Sequence, residues 1–130
     1  MYVLDTNTLI YFFKGIGNVS HHLLDKAPNT ISIPSIVLFE LEVGIAKSTS
    51  PNKRRLQLDQ LTSIVNILPF GKKEAGAASQ VRVDLEKQGA TIGPYDILIA
   101  GTALSHQGIL VTHNTAEFER VSGLQIEDWY

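Results

Sequence analysis

The stretch Tyr2-Val3-Leu4-Asp5-Thr6-Asn7, near the start of the chain, holds the pattern that decides the fold. A short apolar run precedes a carboxylate, and a helical pattern begins at once. Such a run favours a buried strand, and the same order of short run, polar residue and helix recurs along the chain. The predicted strands are Tyr2–Leu4, Thr30–Ile33, Ile64–Leu68, Ile109–Thr112 and Leu124–Glu127. This alternation predicts a parallel sheet that is covered on both faces.

Helical patterns fill the segments between these strands. We expect helices over 7–14, 18–26, 35–47, 53–63, 72–88 and 95–107. Ser35 follows Pro34 and stands where an N-cap would begin the third helix. Gly89 is placed to end the fifth helix, and Gly93-Pro94 to open the sixth. The expected fold class is therefore α/β, as a three-layer α/β/α sandwich around a parallel five-stranded sheet.

Length and composition fit a single domain over residues 1–130. The chain has 11 Lys and Arg against 13 Asp and Glu, and 44% of its residues are hydrophobic, which excludes intrinsic disorder. It has no cysteine, which excludes a disulfide framework, a thiolate zinc site and a cysteine nucleophile. A formal charge of −2 argues against simple polybasic binding of nucleic acid. Because no signal pattern opens the sequence and no apolar run approaches the roughly 20 residues of a membrane span, we expect a cytoplasmic protein with no membrane segment.

Four acidic residues fall at the strand ends or helix starts that border a ligand site in such a sheet. They are Asp5, Glu40, Asp96 and Glu117. Most of them also have an ordinary explanation. Asp5 can cap a helix, Asp96 suits a first helical turn, and Glu117 can complete a capping box with Asn114. Taken singly, these residues do not distinguish structure from function.

Taken together, the acids favour a metal site. Glu40 shares its helix with Glu42, two residues on, so the two point in different directions and only one can face a cleft. One sheet would gather the four acids at the same rim without paired Lys or Arg, and such carboxylates repel one another. Mg²⁺ relieves that repulsion, since it takes oxygen ligands, usually one or two carboxylates with waters and a phosphate. The pattern therefore predicts metal-dependent phosphoryl chemistry.

At these residues the sequence resembles the PIN-domain ribonucleases, and among them the VapC toxins of toxin–antitoxin modules. The resemblance spans essentially the whole chain and rests on four motifs in order. These are Leu4-Asp5-Thr6-Asn7, Ser35 to Glu40-Leu41, Ile92-Gly93-Pro94-Tyr95-Asp96, and the closing stretch from Val111 through Glu117 to Trp129. It implies that residues 1–130 form one PIN domain, a PIN-like version of the sandwich predicted above.

The resemblance also implies a role for each site residue. Asp5, Glu40 and Asp96 match three family acids, and Glu117 matches an acid in the fourth position. Many relatives instead place that fourth group where Asn114 stands. The expected catalytic and metal-binding set is Asp5, Glu40, Asp96 and Glu117, and the expected pocket residues are Thr6, Asn7, Thr112 and Asn114. The expected cofactor is Mg²⁺, with Mn²⁺ as a substitute, and a metal-bound water would attack the scissile phosphate.

The resemblance implies partners as well. Relatives of this kind form homodimers, cut structured RNA such as tRNA anticodon stem-loops, and are silenced by a cognate VapB-type antitoxin. An Arg or another part of the antitoxin's C-terminal segment plugs the acidic cleft. We therefore expect a homodimeric toxin whose partners are a VapB-type antitoxin and an RNA, with tRNA as the expected substrate.

Two other functions share some of these features. A phosphatase of the haloacid-dehalogenase type also begins with a strand and Asp, but it needs a second Asp two residues later, where this chain has Asn7. A non-catalytic RNA-binding module with a degenerate metal site would lack some of the acids that are present here. Hydrolysis of small phosphomonoesters would indicate the first function, and metal binding without RNA cleavage the second.

Several other residues keep two interpretations at this stage. His113, beside the predicted site, is either an RNA contact or a partly exposed neighbour. The basic run Lys53-Arg54-Arg55 either guides a phosphate backbone or covers a solvated helix face. The aromatic residues among positions 10–13 pack in the core or form a partner surface. Trp129 is expected to pack against the last strand.

Overall fold

Five short runs of apolar and β-branched residues form one sheet in the computed structural model, which describes residues 1–130. The strands are β1 (Tyr2–Leu4), β2 (Ile31–Pro34), β3 (Asn66–Leu68), β4 (Ile109–Val111) and β5 (Gln125–Glu127). All neighbouring pairs are parallel, and the strand order is β3-β2-β1-β4-β5. The predicted five-stranded parallel sheet is confirmed.

Seven α-helices connect the strands. They are α1 (Thr6–Lys14), α2 (Val19–Leu24), α3 (Ser35–Lys47), α4 (Pro51–Thr62), α5 (Lys72–Lys87), α6 (Pro94–Ser105) and α7 (Thr115–Phe118). From β1 the chain adds β2 and β3 on one side of the sheet, and then β4 and β5 on the other side. Connections between parallel strands are right-handed. Helices α1 to α4 therefore cover one face of the sheet and α5 to α7 the other, as the α/β/α prediction requires. None of the helices is long and apolar enough to cross a membrane.

The predicted element boundaries hold to within a few residues, with three local corrections. Ser35 is not an N-cap: β2 runs directly into α3, extended Pro34 takes the cap position, and Ser35 is the first helical residue. Helix α4 begins two residues early because Pro51 suits the first helical position. Strand β3 begins at Asn66 rather than at Ile64, which lies exposed in the turn after α4.

The core lies on both sides of the central strands. Val3, Leu4, Ile33, Leu110 and Val111 are fully buried, as expected for strands covered on both faces. The same core continues into the helices, where Gly101 of α6 lies directly against Ala78 of α5. Both helices can approach this closely only because position 101 has no side chain.

Trp129 closes the core at the end of the chain. It is 2% exposed, and its ring lies 5.3 Å from the ring of Tyr2 and is stacked on His22 at 5.7 Å. Its indole N–H donates to Glu127 Oε1 of β5 at 3.0 Å. The prediction that Trp129 packs the last strand is confirmed.

Candidate active site

The strand order reverses between β1 and β4, and the candidate site lies at the carboxyl ends of these two neighbours. In open α/β sheets this crevice is where ligands bind. Asp5 is the first residue after β1 and Thr112 the first after β4. The Asp5 N–H donates to the Val111 carbonyl at 3.2 Å, and the Thr8 hydroxyl donates to the same carbonyl at 3.1 Å. These bonds hold the start of α1 against the end of β4.

Asp5 is buried, with 5% of its surface exposed, and it is both a helix cap and one of the predicted site acids. Its side chain caps α1, because Oδ1 accepts from the Thr8 N–H at 2.9 Å. Burial raises the pKa of Asp5 above its ordinary value, while hydrogen bonding by Thr112 and Thr8 opposes that rise and the charge of Glu40 adds to it. The cap predicted from sequence and the acid predicted for the site are thus one residue.

Glu40 enters the same cleft from α3. Its Oε1 accepts from the Thr6 hydroxyl at 2.7 Å, which joins α3 to the first turn of α1. Glu42 instead points to solvent and pairs with Arg55, whose hydrogen bonds lower the pKa of Glu42. The prediction that only one of these two acids can face the cleft is confirmed.

Asp96 lies in the first turn of α6 and is half-buried. Its carboxylate has no cationic partner. Burial raises its pKa to about 6, and the charges of Asp5, Glu117 and Glu40 add to that rise in this order. Because these three charges act on Asp96, all four predicted acids lie within electrostatic range of one another at this edge of the sheet.

Glu117 is held by its neighbour Asn114. The Asn114 side-chain amide donates to Glu117 Oε2 at 2.9 Å, and the Asn114 N–H donates to the Thr112 hydroxyl at 3.0 Å. Asn114 does stand at the N-cap position of α7, but its side chain forms no capping bond, because its amide binds the Glu117 carboxylate instead. The predicted capping box is therefore wrong.

Three further residues border the acids. The sequence predicted Asn7 as a pocket residue, and it did not single out Thr8 or Gly93 for the site. Asn7 is exposed in the first turn of α1 and forms no side-chain hydrogen bond with the acids. Thr8 binds Asp5, and its only sequence signal was its position three residues after a capping Asp. At Gly93, an added Cβ would lie 3.3 Å from Asp96 Oδ2, a close approach that no sequence pattern reveals.

The donor set fits a hard divalent cation. The four carboxylates form no ion pair with any Lys, Arg or His, so their charges are left for another cation to neutralise. No group of three or more acidic or imidazole side chains is placed to hold a metal ion by itself. Mg²⁺ does not need one, since it usually keeps several waters and takes one or two carboxylates with a substrate phosphate.

A groove of about 330 Å³ opens beside Glu40 between α1, α3 and α4. Its lining is mixed: Ile10, Phe13, Leu41 and Ile45 are apolar, whereas Lys14 and Arg54 add positive charge. Arg54 also donates to the Phe13 carbonyl and to Gln57. Of the basic run at 53–55, Arg54 therefore faces this groove, while Arg55 pairs with Glu42 on the surface.

Comparison with known proteins agrees with this geometry. The family model described as PIN domain matches residues 2–124. The chain is 36% identical over 128 residues to the tRNA(fMet)-specific endonuclease VapC of Shigella flexneri, covering 98% of this chain and 97% of that protein. It is 36% identical over 131 residues to ribonuclease VapC2 of Rickettsia felis, covering 99% and 98% of the two chains.

Solved structures of similar fold include two protein complexes. A chain of VapBC2 from Rickettsia felis, bound to a DNA fragment from its promoter, superimposes with a TM-score of 0.91 at 37% identity, over 99% of this chain and 98% of the other. A chain of DNA-bound VapBC from Salmonella typhimurium superimposes with a TM-score of 0.92 at 35% identity, again over 99% of this chain and 98% of the other. With its fold, its acidic cleft and its full length matched, the chain belongs to the PIN-domain family and, within it, to the VapC ribonucleases.

Proposed function

We propose that the acidic cleft of this VapC-family toxin cleaves a tRNA within its anticodon stem-loop, with Mg²⁺ as the physiological cation. One observation carries the proposal: Asp5 lies at the crevice between β1 and β4, within a group of four mutually interacting carboxylates none of which has a cationic partner. The name of the Shigella flexneri relative, a tRNA(fMet)-specific endonuclease, supports tRNA as the substrate class. A tRNA substrate also supports the cytoplasm as the place of action.

Each residue of the cleft has a role in this hydrolysis. Asp5 and Asp96 would hold the cation, and Glu40 and Glu117 would complete the site directly or through water. Thr6, Asn114 and Thr8 hold three of these carboxylates in place through the hydrogen bonds described above. When bound, the cation lowers the pKa of water and neutralises charge on the phosphate. No side-chain nucleophile is needed, in keeping with the absence of cysteine.

A cleavage assay on bulk tRNA tests the proposal. Discrete fragments should form with Mg²⁺, and they should disappear with EDTA and with the Asp96→Asn protein. Intact tRNA in every lane would contradict the tRNA assignment, and fragments that persist in the variant would show that the site is placed wrongly. The assay also includes a small phosphomonoester, whose hydrolysis would favour the phosphatase that the names of the relatives disfavour.

The antitoxin has a suitable binding surface in a second groove, which shares Phe13 with the groove beside Glu40. This second groove, of about 520 Å³, runs between α1, α2 and α4 and is lined mainly by apolar residues, Phe12, Phe13, Leu23 and Leu61 among them. The solved structures from Rickettsia felis and Salmonella typhimurium are of VapBC bound to DNA. We propose that a VapB-type antitoxin covers this groove and places a basic residue among the four unpaired carboxylates, where a cation is favoured.

A homodimer is supported by an exposed aromatic pair on α3 and α6. Phe39 and Tyr95 are 51% and 46% exposed, their rings meet edge to face at 5.7 Å, and Val43 continues the apolar surface. Phe39 and Tyr95 each precede a site acid in sequence. We therefore place the dimer interface on this surface, next to the active site.

Phe39→Asp is expected to convert the dimer into a monomer, because it puts a charge at the centre of the apolar surface. Size-exclusion chromatography with light scattering measures the mass directly. Leu56→Asp is the matched control, since Leu56 is a similarly exposed apolar residue, on α4, and should leave the dimer intact. A monomeric wild type, or a Phe39→Asp protein that stays dimeric, would contradict the assignment.

Gly93→Ala is expected to raise the Mg²⁺ concentration needed for cleavage by about tenfold, because small displacements of catalytic groups have effects of this size or larger. The added methyl group would press on Asp96 Oδ2 from 3.3 Å, whereas the backbone at φ −56° and ψ 149° accepts alanine without strain. Titration of cleavage against Mg²⁺ measures the effect. Gly76→Ala, where nothing lies within 4 Å, is the control. An unchanged titration for Gly93→Ala would show that Asp96 moves freely.

A further inference from the structure

Three aromatic side chains meet at the edge of the active site, and we call them the aromatic platform: Tyr11 of α1, His113 of the loop after β4, and Tyr130. The His113 and Tyr130 rings are stacked, with centroids 4.1 Å apart and planes 17° apart. Tyr11 meets both rings edge-on, at 6.0 Å from His113 and 5.0 Å from Tyr130. None of the three was assigned a role in the cleavage described above.

The platform residue His113 is adjacent in sequence to two residues that contact the site acids. His113 lies between Thr112, whose hydroxyl acts on Asp5, and Asn114, whose amide holds Glu117. Consecutive Cα atoms are about 3.8 Å apart, so His113 adjoins along the chain one residue that acts on Asp5 and one that holds Glu117. A phosphate bound by the carboxylates would have its neighbouring nucleotide beside these rings.

Both stacked rings are held in place. His113 Nδ1 lies 3.0 Å from Asp128 Oδ2, which fixes the orientation of the imidazole. The Tyr130 carbonyl accepts from the Asn18 N–H, and Gly17, at φ +66°, lets the backbone approach the Tyr130 ring. Holding the rings in advance lowers the entropy that would be lost when a ligand stacks on them.

Core packing does not account for this arrangement. Trp129, one residue before Tyr130, makes similar aromatic contacts with Tyr2 and His22 but is 2% exposed. By contrast, the His113 side chain is 44% exposed and Tyr130 is 43% exposed. The two stacked rings are thus anchored and yet about two-fifths exposed, which leaves ring surface available to a ligand.

We propose that the aromatic platform binds an unpaired RNA base next to the scissile phosphate by stacking on the His113–Tyr130 pair. The inference rests on the proposed RNA cleavage and deepens it by naming a subsite. Proteins read unpaired bases in loops by stacking them on aromatic or histidine rings. Because every base has a flat face, the platform would select a loop or single strand over a duplex without demanding one sequence.

The test uses a tRNA anticodon stem-loop oligonucleotide with 2-aminopurine, whose fluorescence is quenched on stacking, at one loop position after another. Binding is measured in EDTA, so that no cleavage is needed. Wild-type protein should quench one loop position, and His113→Ala should lose that quenching and bind about tenfold more weakly. His113→Phe keeps a flat ring and should restore both readouts.

Kinetics with Mg²⁺ separate a stacking role from a catalytic one. Loss of the platform should raise KM about tenfold and leave kcat within about threefold, since the base is held equally before and during reaction. Tyr130→Leu is a second variant with the same expected effect. His21→Ala, an exposed histidine on α2, is the matched control and should behave as wild type in both assays. Melting temperatures show that the variants are folded.

Each remaining outcome bears on one proposal only. Wild-type protein that quenches a loop position but never cleaves would overturn the proposed nuclease activity and support the platform. Wild-type protein that cleaves, with His113→Ala showing the same KM and quenching, would overturn the platform alone. So would a His113→Phe protein that behaves like His113→Ala, because a flat ring would then not be what matters.

Discussion

Asp96→Asn is expected to lower the rate of RNA cleavage by about a thousandfold or more, equivalent to about 4 kcal/mol of transition-state stabilisation. The charges of the other three acids all raise the pKa of Asp96. Asp96 has no cationic partner to offset them. Removing its charge would leave a bound cation with one carboxylate fewer, while asparagine keeps the shape of the side chain. Single-turnover cleavage of tRNA measures the loss.

The same variant is expected to be more stable than wild type when no cation is present. The pKa of Asp96 is raised to about 6, so the folded protein holds a proton that the unfolded chain has already released. The contribution of Asp96 to wild-type stability therefore falls as pH rises from about 4 to about 6, and the advantage of Asp96→Asn grows over that range to about 1–3 kcal/mol. Urea denaturation in EDTA at pH 4, 6 and 8 measures it.

Asp25→Asn is the matched control for both effects, because Asp25 is an exposed acid at the end of α2. It should cleave like wild type and show no stability gain that depends on pH. Full cleavage by Asp96→Asn would refute the assignment of the site. A stability difference that stays constant from pH 4 to pH 8 would refute the electrostatic account of the cleft.

Gly101→Ala is expected to destabilise the protein by about 3 kcal/mol or to prevent folding, because overpacking a close contact forces the backbone to move. A Cβ at position 101 would lie 2.5 Å from the Ala78 Cα and 2.6 Å from the Ala78 nitrogen. Both atoms belong to the backbone of α5, so no side-chain rotation can relieve the clash. A loss of this size is a large part of the 5–15 kcal/mol that is typical of a domain.

Chemical denaturation of two further variants isolates the cause. Gly76→Ala lies on α5, where nothing stands within 4 Å, and should stabilise the protein by about 0.5–1 kcal/mol through helix propensity. Ala78→Gly, combined with Gly101→Ala, should recover little of the loss, because the Cα and nitrogen at position 78 stay in place. A Gly101→Ala protein as stable as wild type would show that α5 and α6 slide apart at little cost.

The acids of the cleft could be predicted from sequence because their positions follow from topology. Asp5 directly follows a strand, and parallel strands bring their carboxyl ends to one edge of the sheet, so a correct strand assignment already places it. The position of Asp96 followed from the helix start that Gly93-Pro94 marks. The direction of Glu40 away from Glu42 followed from helical periodicity.

What sequence could not supply depends on contacts between distant segments. The approach of Gly101 to Ala78 requires knowing that α5 and α6 pack together, which no local pattern states. Asn114 and Glu117 matched a capping box in sequence. In the structure the Asn114 side-chain amide donates to the Glu117 carboxylate instead, and the direction of that carboxylate is not visible in the local sequence. Ser35 matched a capping residue, but β2 and α3 join without a turn.

Three of the four carboxylates each have one oxygen occupied by a protein donor: Asp5 Oδ1 by the Thr8 N–H, Glu40 Oε1 by Thr6, and Glu117 Oε2 by Asn114. In Glu40 and Glu117 the second oxygen has no protein donor, so these two carboxylates would meet a cation most readily through that one atom. Calcium takes six to eight oxygen ligands, from carboxylates bound through one oxygen or through both, whereas magnesium requires a small octahedron. Hydrogen bonds that occupy carboxylate oxygens leave fewer atoms for the larger shell of calcium, so we expect this site to favour magnesium.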